Sequence, residues 1–219
     1  MELIEEIKNY IDKFCKQNNI KEVRNKEKLE SQLLSIINKN ESVLTLQDAS
    51  GKNLGMIAAD SGLENVVLRA LGNAESSVQQ DRYGRNIGMV AADKGLEAAV
   101  IKALDNKEAS VQQDIDGTNI GMWAAYKGLE KAVIKALDNP EASVQQDEYG
   151  KNIGMWSAYK RLEAAVIKAL ENKEASVQQN IWGGTIISFA KGKMPKLMEE
   201  LDLENQALDE DFDSLMERI

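Results

Sequence analysis

The sequence contains no histidine and a single cysteine, Cys15. The first absence removes imidazole acid–base catalysis, Ser-His and Cys-His nucleophile pairs, and the commonest metal-binding side chain. The second removes any intrachain disulfide and a cysteine-rich zinc site. Basic residues are the minority: 27 Lys and Arg against 36 Asp and Glu leave a formal net charge of −9. Nucleic-acid binding needs a basic footprint, so no nucleic-acid partner is expected. No apolar run approaches membrane-spanning length, and Glu2 directly after Met1 is not how a secretory leader begins, so neither membrane insertion nor a signal peptide is expected. What remains, 43% hydrophobic and 29% charged over 219 residues, reads as a soluble chain with a substantial core.

What is present is a repeat. The string D-x-x-G-x-N-[I/L]-G-M begins at Asp48, Asp81, Asp114 and Asp147, each start 33 residues after the last. A weaker start follows at Asn180, where Gly183 and Thr185 still match. Ala-Ser-Val-Gln-Gln closes the units at Ala109–Gln113, Ala142–Gln146 and Ala175–Gln179, and Ser76–Gln80 closes the first. Within a unit, Asp81 to Gly84 reads as a turn, with Gly84 free to take positive φ. Asn86 is suited to cap a first helix through Met89, Ala91 and Ala92. Gly95 ends it in the left-handed conformation. Leu96 to Asp105 reads as a second helix with Leu96, Ala99, Val100, Ala103 and Leu104 on one face. Neither helix buries its apolar stripe alone, so consecutive units must stack.

Period and pattern together resemble those of ankyrin-repeat proteins, over Asp48 to Gln179 and more weakly over Asn180 to Leu201. The resemblance implies an all-α ankyrin-repeat solenoid: stacked helix–turn–helix units with short turn or hairpin tips and helical caps. This chain departs from the family pattern where N-I-G-M, as in Asn119 to Met122, replaces T-P-L-H. Asn replaces the capping Thr, Met cannot make the His hydrogen bonds, and Gly88, Gly121 and Gly154 remove a core leucine, so either closer packing of neighbouring units or lower stability is expected. Arg161 takes the place of the helix-ending glycine, a local cost of about 1 kcal/mol.

The expected organisation is an N-terminal helical cap (1–47), repeats at 48–80, 81–113, 114–146 and 147–179, a degenerate capping repeat (180–201) and an acidic tail (202–219). In the N-terminal segment Leu3, Ile4, Ile7, Ile11 and Phe14 share one helical face, which suits either a cap or a dimerisation helix. From Glu199 onward nine acids face a single base, Arg218. That end reads as a solubilising cap and tail, or as a motif engaging a partner through Phe212, Leu215 and Met216. An acid-rich end on such a chain is also similar to export signals of effectors secreted by intracellular bacteria. Delivery into a host cell therefore stands beside a cytoplasmic location.

The few aromatics are not scattered. In ankyrin proteins the turn tips and outward first-helix positions line a concave groove that binds the partner. Carried over, Tyr83, Ile115, Tyr149 and Trp182 fall on tips, Trp123, Trp156 and Phe189 share one first-helix position, and Tyr126 and Tyr159 lie one turn further on. Arg82, Arg85, Lys127, Lys151 and Lys160 accompany them. Rings and cations together suit a protein or an acidic, partly apolar peptide. Stacking of the rings between units is the competing explanation. No catalytic residue, cofactor or metal is expected, since no carboxylate pair or phosphate loop stands in a recognisable arrangement. The function expected is a non-catalytic protein-interaction module, with a self-associating scaffold as the alternative.

Overall fold

A computed structural model describes residues 2–202, and the acidic stretch beyond them, with Phe212, Leu215 and Met216, lies outside it. Among the described residues every regular element is helical. The N-terminal pair is α1 (Glu2–Gln17) and α2 (Val23–Lys39), followed by a 3₁₀ turn at Glu41–Thr45. The first unit holds α3 (Leu54–Asp60), α4 (Glu64–Leu71) and α5 (Ala74–Val78). The second holds α6 (Ile87–Asp93), α7 (Glu97–Ala103) and α8 (Lys107–Val111), and the third α9 (Ile120–Lys127), α10 (Glu130–Leu137) and α11 (Pro140–Val144). The fourth holds α12 (Ile153–Lys160), α13 (Glu163–Leu170) and α14 (Lys173–Val177). After α15 (Ile186–Lys193) a further helical run covers 195–202. First helices pack on first helices and second on second, unit after unit.

The short third helix of each unit was not anticipated. At five residues it is too brief to show an apolar period, and the Ala-Ser-Val-Gln-Gln run reads as a loop. Its start is nonetheless marked: Asn73, Asn106, Asn139 and Asn172 each accept a backbone N–H of its first turn. The second helix is slightly shorter than expected, with Leu96 and its equivalents standing just before it.

First helices are started by buried asparagines. Asn53, Asn86, Asn119 and Asn152 accept from the N–H of Met56, Met89, Met122 and Met155. The amide nitrogen of each then donates to the third helix, as Asn119 does to the Ala142 carbonyl (2.9 Å) and to Gln145 Oε1 (2.9 Å). A threonine could make the cap but has no second donor for this tie. At α15 Thr185 takes the position in a capping box with Ser188.

Neighbouring units approach closely at the first-helix glycines. A Cβ on Gly121 would lie 2.5 Å from Ile153 Cδ1 of the next unit and 2.8 Å from Ala136 Cβ of its own second helix. The missing leucine is thus replaced by an isoleucine from the neighbour. Arg161 takes φ 62°, in line with Gly62, Gly95 and Gly128. A Cβ at those glycines would meet nothing within 4 Å, so the cost at Arg161 is dihedral and not steric.

The N-terminal pair covers the first unit. Ile4, Ile7, Ile11 and Phe14 of α1 and Leu29, Leu33 and Ile37 of α2 are buried within the chain. Of the face expected to be apolar, Ile4, Ile7, Ile11 and Phe14 are therefore occupied within the chain, while Leu3 is exposed. Lys8 pairs with Asp48 at 2.7 Å, and buried Glu30 accepts from the Asn65 backbone and side chain at 3.0 and 2.7 Å.

The close approach makes a direct prediction. Gly121→Ala gains helix propensity of about 1 kcal/mol but overpacks the seam by about 1–3 kcal/mol, so thermal unfolding should show a net loss. Adding Ile153→Val removes the clashing methyl and should recover part of it. Recovery no greater than the separate effects of the two changes would show that the glycine serves another purpose.

Candidate functional site

The tip of each of the first four units is built on a carboxylate. Asp81 Oδ1 accepts from the N–H of Tyr83 (2.9 Å) and Arg85 (3.0 Å), closing the turn over Gly84 at φ 75°. Successive tips are joined by backbone hydrogen bonds: Arg82 N–H to Ser50 O, Ile115 to Tyr83, Glu148 to Asp116 and Ile181 to Tyr149, all at 2.9–3.0 Å. A second line of bonds comes from glutamine side chains, Gln47 reaching the Gln80 carbonyl, Gln80 that of Gln113, Gln113 that of Gln146 and Gln146 that of Gln179. These ladders bring the tip residues into one row.

The second oxygen of each tip carboxylate has a different partner in each unit. Asp48 Oδ2 takes the Lys8 ammonium from α1, and Asp81 Oδ2 takes Arg85. Asp114 and Asp147 take the indole N–H of Trp123 and Trp156, both at 2.9 Å. In the fifth unit Phe189 stands where the indole would be and offers no donor, and the carboxylate is replaced by neutral Asn180. Donor and anion disappear together, as the cost of a buried unpaired charge requires.

This bonding changes the picture of the ring row. Trp123, Trp156 and Phe189 are half-buried against the core and not fully outward. Tyr126 and Tyr159, each 45% exposed, stand proud of them. The rings run edge to face: Trp123 to Tyr126 at 6.4 Å, Tyr126 to Trp156 at 5.6 Å and Trp156 to Tyr159 at 5.8 Å. On the tips Tyr149 and Trp182 stack at 6.0 Å and 12°. Stacking between units and an aromatic surface therefore coexist, the tryptophans half-buried at the seams and the tyrosines exposed beside them. A cleft of about 270 Å³ opens among Met122, Trp123, Tyr126, Tyr149 and Trp156, with Asp116 and Glu148 at its acidic side. The Glu148 carboxylate beside Tyr149 raises the pKa of its phenol.

The cations divide into two groups. Arg85 is held by Asp81, Lys127 pairs with Asp93 at 2.8 Å, and Arg82 donates to the Tyr83 hydroxyl while lying 4.8 Å from its ring. Lys151, Lys160 and, beyond the sequence expectation, Lys193 make no ion pair among the described residues. Lys151 Nζ lies 4.2 Å from the Trp156 ring centre and within 6 Å of those of Tyr149, Tyr159 and Trp182. Lys160 lies 4.7 Å from Tyr126, and Lys193 lies 5.3 Å from Tyr159. Ile115 is exposed on its tip. Lys193 was missed although it is the 33-residue successor of Lys127 and Lys160, and the repeat register alone would have found it.

Among the described residues no group of three His, Cys, Asp or Glu side chains is placed to hold a metal ion, and no helix is long and apolar enough to cross a membrane. No protein-family model matches the chain, and no curated protein matches it.

Two outcomes follow from the tip carboxylates. Burial alone would raise the pKa of Asp48, but the Lys8 ammonium and the Ser50 and Lys52 hydrogen bonds outweigh it and lower it to about 2. Because the folded value is depressed, this stabilisation is present above the unfolded value near 3.8 and disappears as pH falls through 2. The thermal stability advantage of the native chain over Asp48→Asn should therefore shrink by on the order of 2 kcal/mol between pH 5 and 2; a pH-independent gap would contradict the assignment. The Asp147→Asn with Trp156→Phe pair recreates the Asn180 and Phe189 arrangement. Its combined loss of stability should be smaller than the sum of the single losses by about 1 kcal/mol, and strict additivity would remove the indole bond from the account.

Proposed function

We propose that this chain is an ankyrin-type solenoid acting as a non-catalytic binding module, and that its aromatic–lysine face takes a protein or peptide carrying acidic and apolar side chains. The observation that carries this reading is the set of lysines without a carboxylate partner, Lys151, Lys160 and Lys193, held over tyrosine and tryptophan rings. Other surface lysines, among them Lys107, Lys131 and Lys173, also make no ion pair among the described residues, and what sets Lys151, Lys160 and Lys193 apart is the ring beneath each ammonium. An ammonium over a ring keeps its charge and is ready to meet an anion, while the ring edges offer apolar contact beside it. Bound carboxylates would engage the lysines, and aliphatic side chains between them would lie on Tyr126, Tyr159 and Trp182.

The 33-residue period supports the ankyrin part of the reading, as do the tip turns joined in a row and the helices packed in sequence order. The overall acidity of the chain argues for a peptide over a nucleic acid, whose continuous row of phosphates needs a wider basic footprint than a few lysines supply.

Selection from a displayed random-peptide library tests the reading. The native chain should enrich sequences in which Asp or Glu flanks aliphatic residues. Lys151→Glu with Lys160→Glu should weaken the selected peptides by at least about 30-fold, the loss of one strong anchor, with unfolding temperature unchanged. Enrichment of peptides indifferent to those changes, or to Tyr159→Ala, would move the binding surface elsewhere.

A further inference from the structure

A repeat is its own control, because a position the fold requires is filled alike in every unit. The seam between the third and fourth units departs from the others at several places at once. Where Trp123 and Trp156 stand, the first two units have buried Ile57 and Val90, and where Tyr126 and Tyr159 stand they have Asp60 and Asp93. On the tips, the backbone ladder sets the third residue of one turn against the second of the next. The facing pairs are Ser50 with Arg82, Tyr83 with Ile115, Asp116 with Glu148 and Tyr149 with Ile181. Of these four, the seam between the third and fourth units alone sets two acids against each other.

The aromatic cleft opens at this same seam and is bordered by both acids. At about 270 Å³ it is smaller than the roughly 300–1,000 Å³ of a small-molecule pocket and suits one long side chain. Asp116 and Glu148 are exposed, and neither makes an ion pair among the described residues. The cations of the ring row do not neutralise them: Lys127 is held by Asp93, Lys160 lies over Tyr126 and Lys151 over Trp156. Two like charges on facing rungs repel. The fold requires neither, since serine or tyrosine serves in the place of Asp116 in other units, and alanine or isoleucine in that of Glu148.

Aromatic walls beside a pair of carboxylates are complementary to a flat, weakly hydrated organic cation. A guanidinium meets both conditions. It stacks on rings, gives up less hydration than an ammonium does, and carries five N–H donors, enough to bridge two carboxylates. We propose that this cleft binds one arginine side chain of the partner, with the guanidinium bridging Asp116 and Glu148 beside the rings of Trp123, Tyr126, Tyr149 and Trp156. The inference rests on the partner-binding reading only in taking the arginine to belong to the same partner. The lysines then fix acidic side chains and the cleft fixes a basic one, and together they set the peptide's direction along the units.

The test uses the full chain, with N-acetyl-arginine N-methylamide as the probe and the indole N–H resonances of Trp123 and Trp156 as the readout. The probe should shift both resonances saturably at concentrations on the order of millimolar. N-acetyl-citrulline N-methylamide, neutral and of the same shape, should bind at least about tenfold more weakly. Asp116→Asn with Glu148→Gln should weaken the arginine probe about tenfold without lowering the unfolding temperature. Lys151→Glu with Lys160→Glu, the change that weakens acidic peptides, should leave the arginine probe as tight or tighter. The two readings are thereby separable: arginine can titrate a chain that binds no acidic peptide, and acidic peptides can bind a chain that ignores arginine. No saturable shift, equal binding of the citrulline probe, or binding indifferent to the two acids overturns the proposal. Equal binding of N-acetyl-lysine N-methylamide also overturns it, since any ammonium would then serve.

Discussion

The buried asparagine that opens each first helix organises the unit around it. Its oxygen starts the helix, and its nitrogen holds the short third helix and the first glutamine of the pair that follows. That glutamine in turn donates to a carbonyl of the preceding unit, as Gln112 does to Val78 at 2.7 Å. One side chain thus sets where a helix begins, how the unit closes on itself and how it registers with its neighbour. No buried side-chain nitrogen or oxygen among the described residues lacks a partner, so these bonds carry no uncompensated desolvation.

The glycine two residues later turns that register into distance. Because Gly55, Gly88, Gly121 and Gly154 carry no Cβ, the isoleucine of the next unit packs directly against the helix backbone and the second-helix alanine. First helices are thereby drawn close enough for Tyr126 to reach the ring of Trp156 in the following unit. The edge-to-face ring row is a consequence of backbone spacing, not an independent feature. A bulkier residue at the glycine would open the seam and separate the rings.

Electrostatics follow the same geometry. Every tip carboxylate is buried, and each needs a donor at its second oxygen, which the chain supplies from α1, from an arginine, or from an indole. Tryptophan at that position joins the tip to the first helix and carries an aromatic face to the surface. The lysines that lie over rings without a carboxylate partner gather where indoles and phenols are densest, around the fourth and fifth units. Neutral Asn180 beside Phe189 marks the end of the series.

The repeat, its period, the capping asparagines, the tip glycines and the helical nature of the units were legible in the sequence, because each is a local requirement of backbone geometry that recurs every 33 residues. So was the grouping of most aromatics on one set of positions, since helical spacing alone aligns Trp123 with Tyr126 and Trp156 with Tyr159. The short third helices escaped because five residues leave no period to read. The half-burial of the tryptophans escaped because the acceptors of their N–H groups lie nine residues away, on the preceding turn. Only the tertiary structure decided which lysines keep a free charge. Ion pairing depends on which acid the neighbouring unit brings within reach: Asp93 meets Lys127 across a seam, while no acid meets Lys151, Lys160 or Lys193 among the described residues.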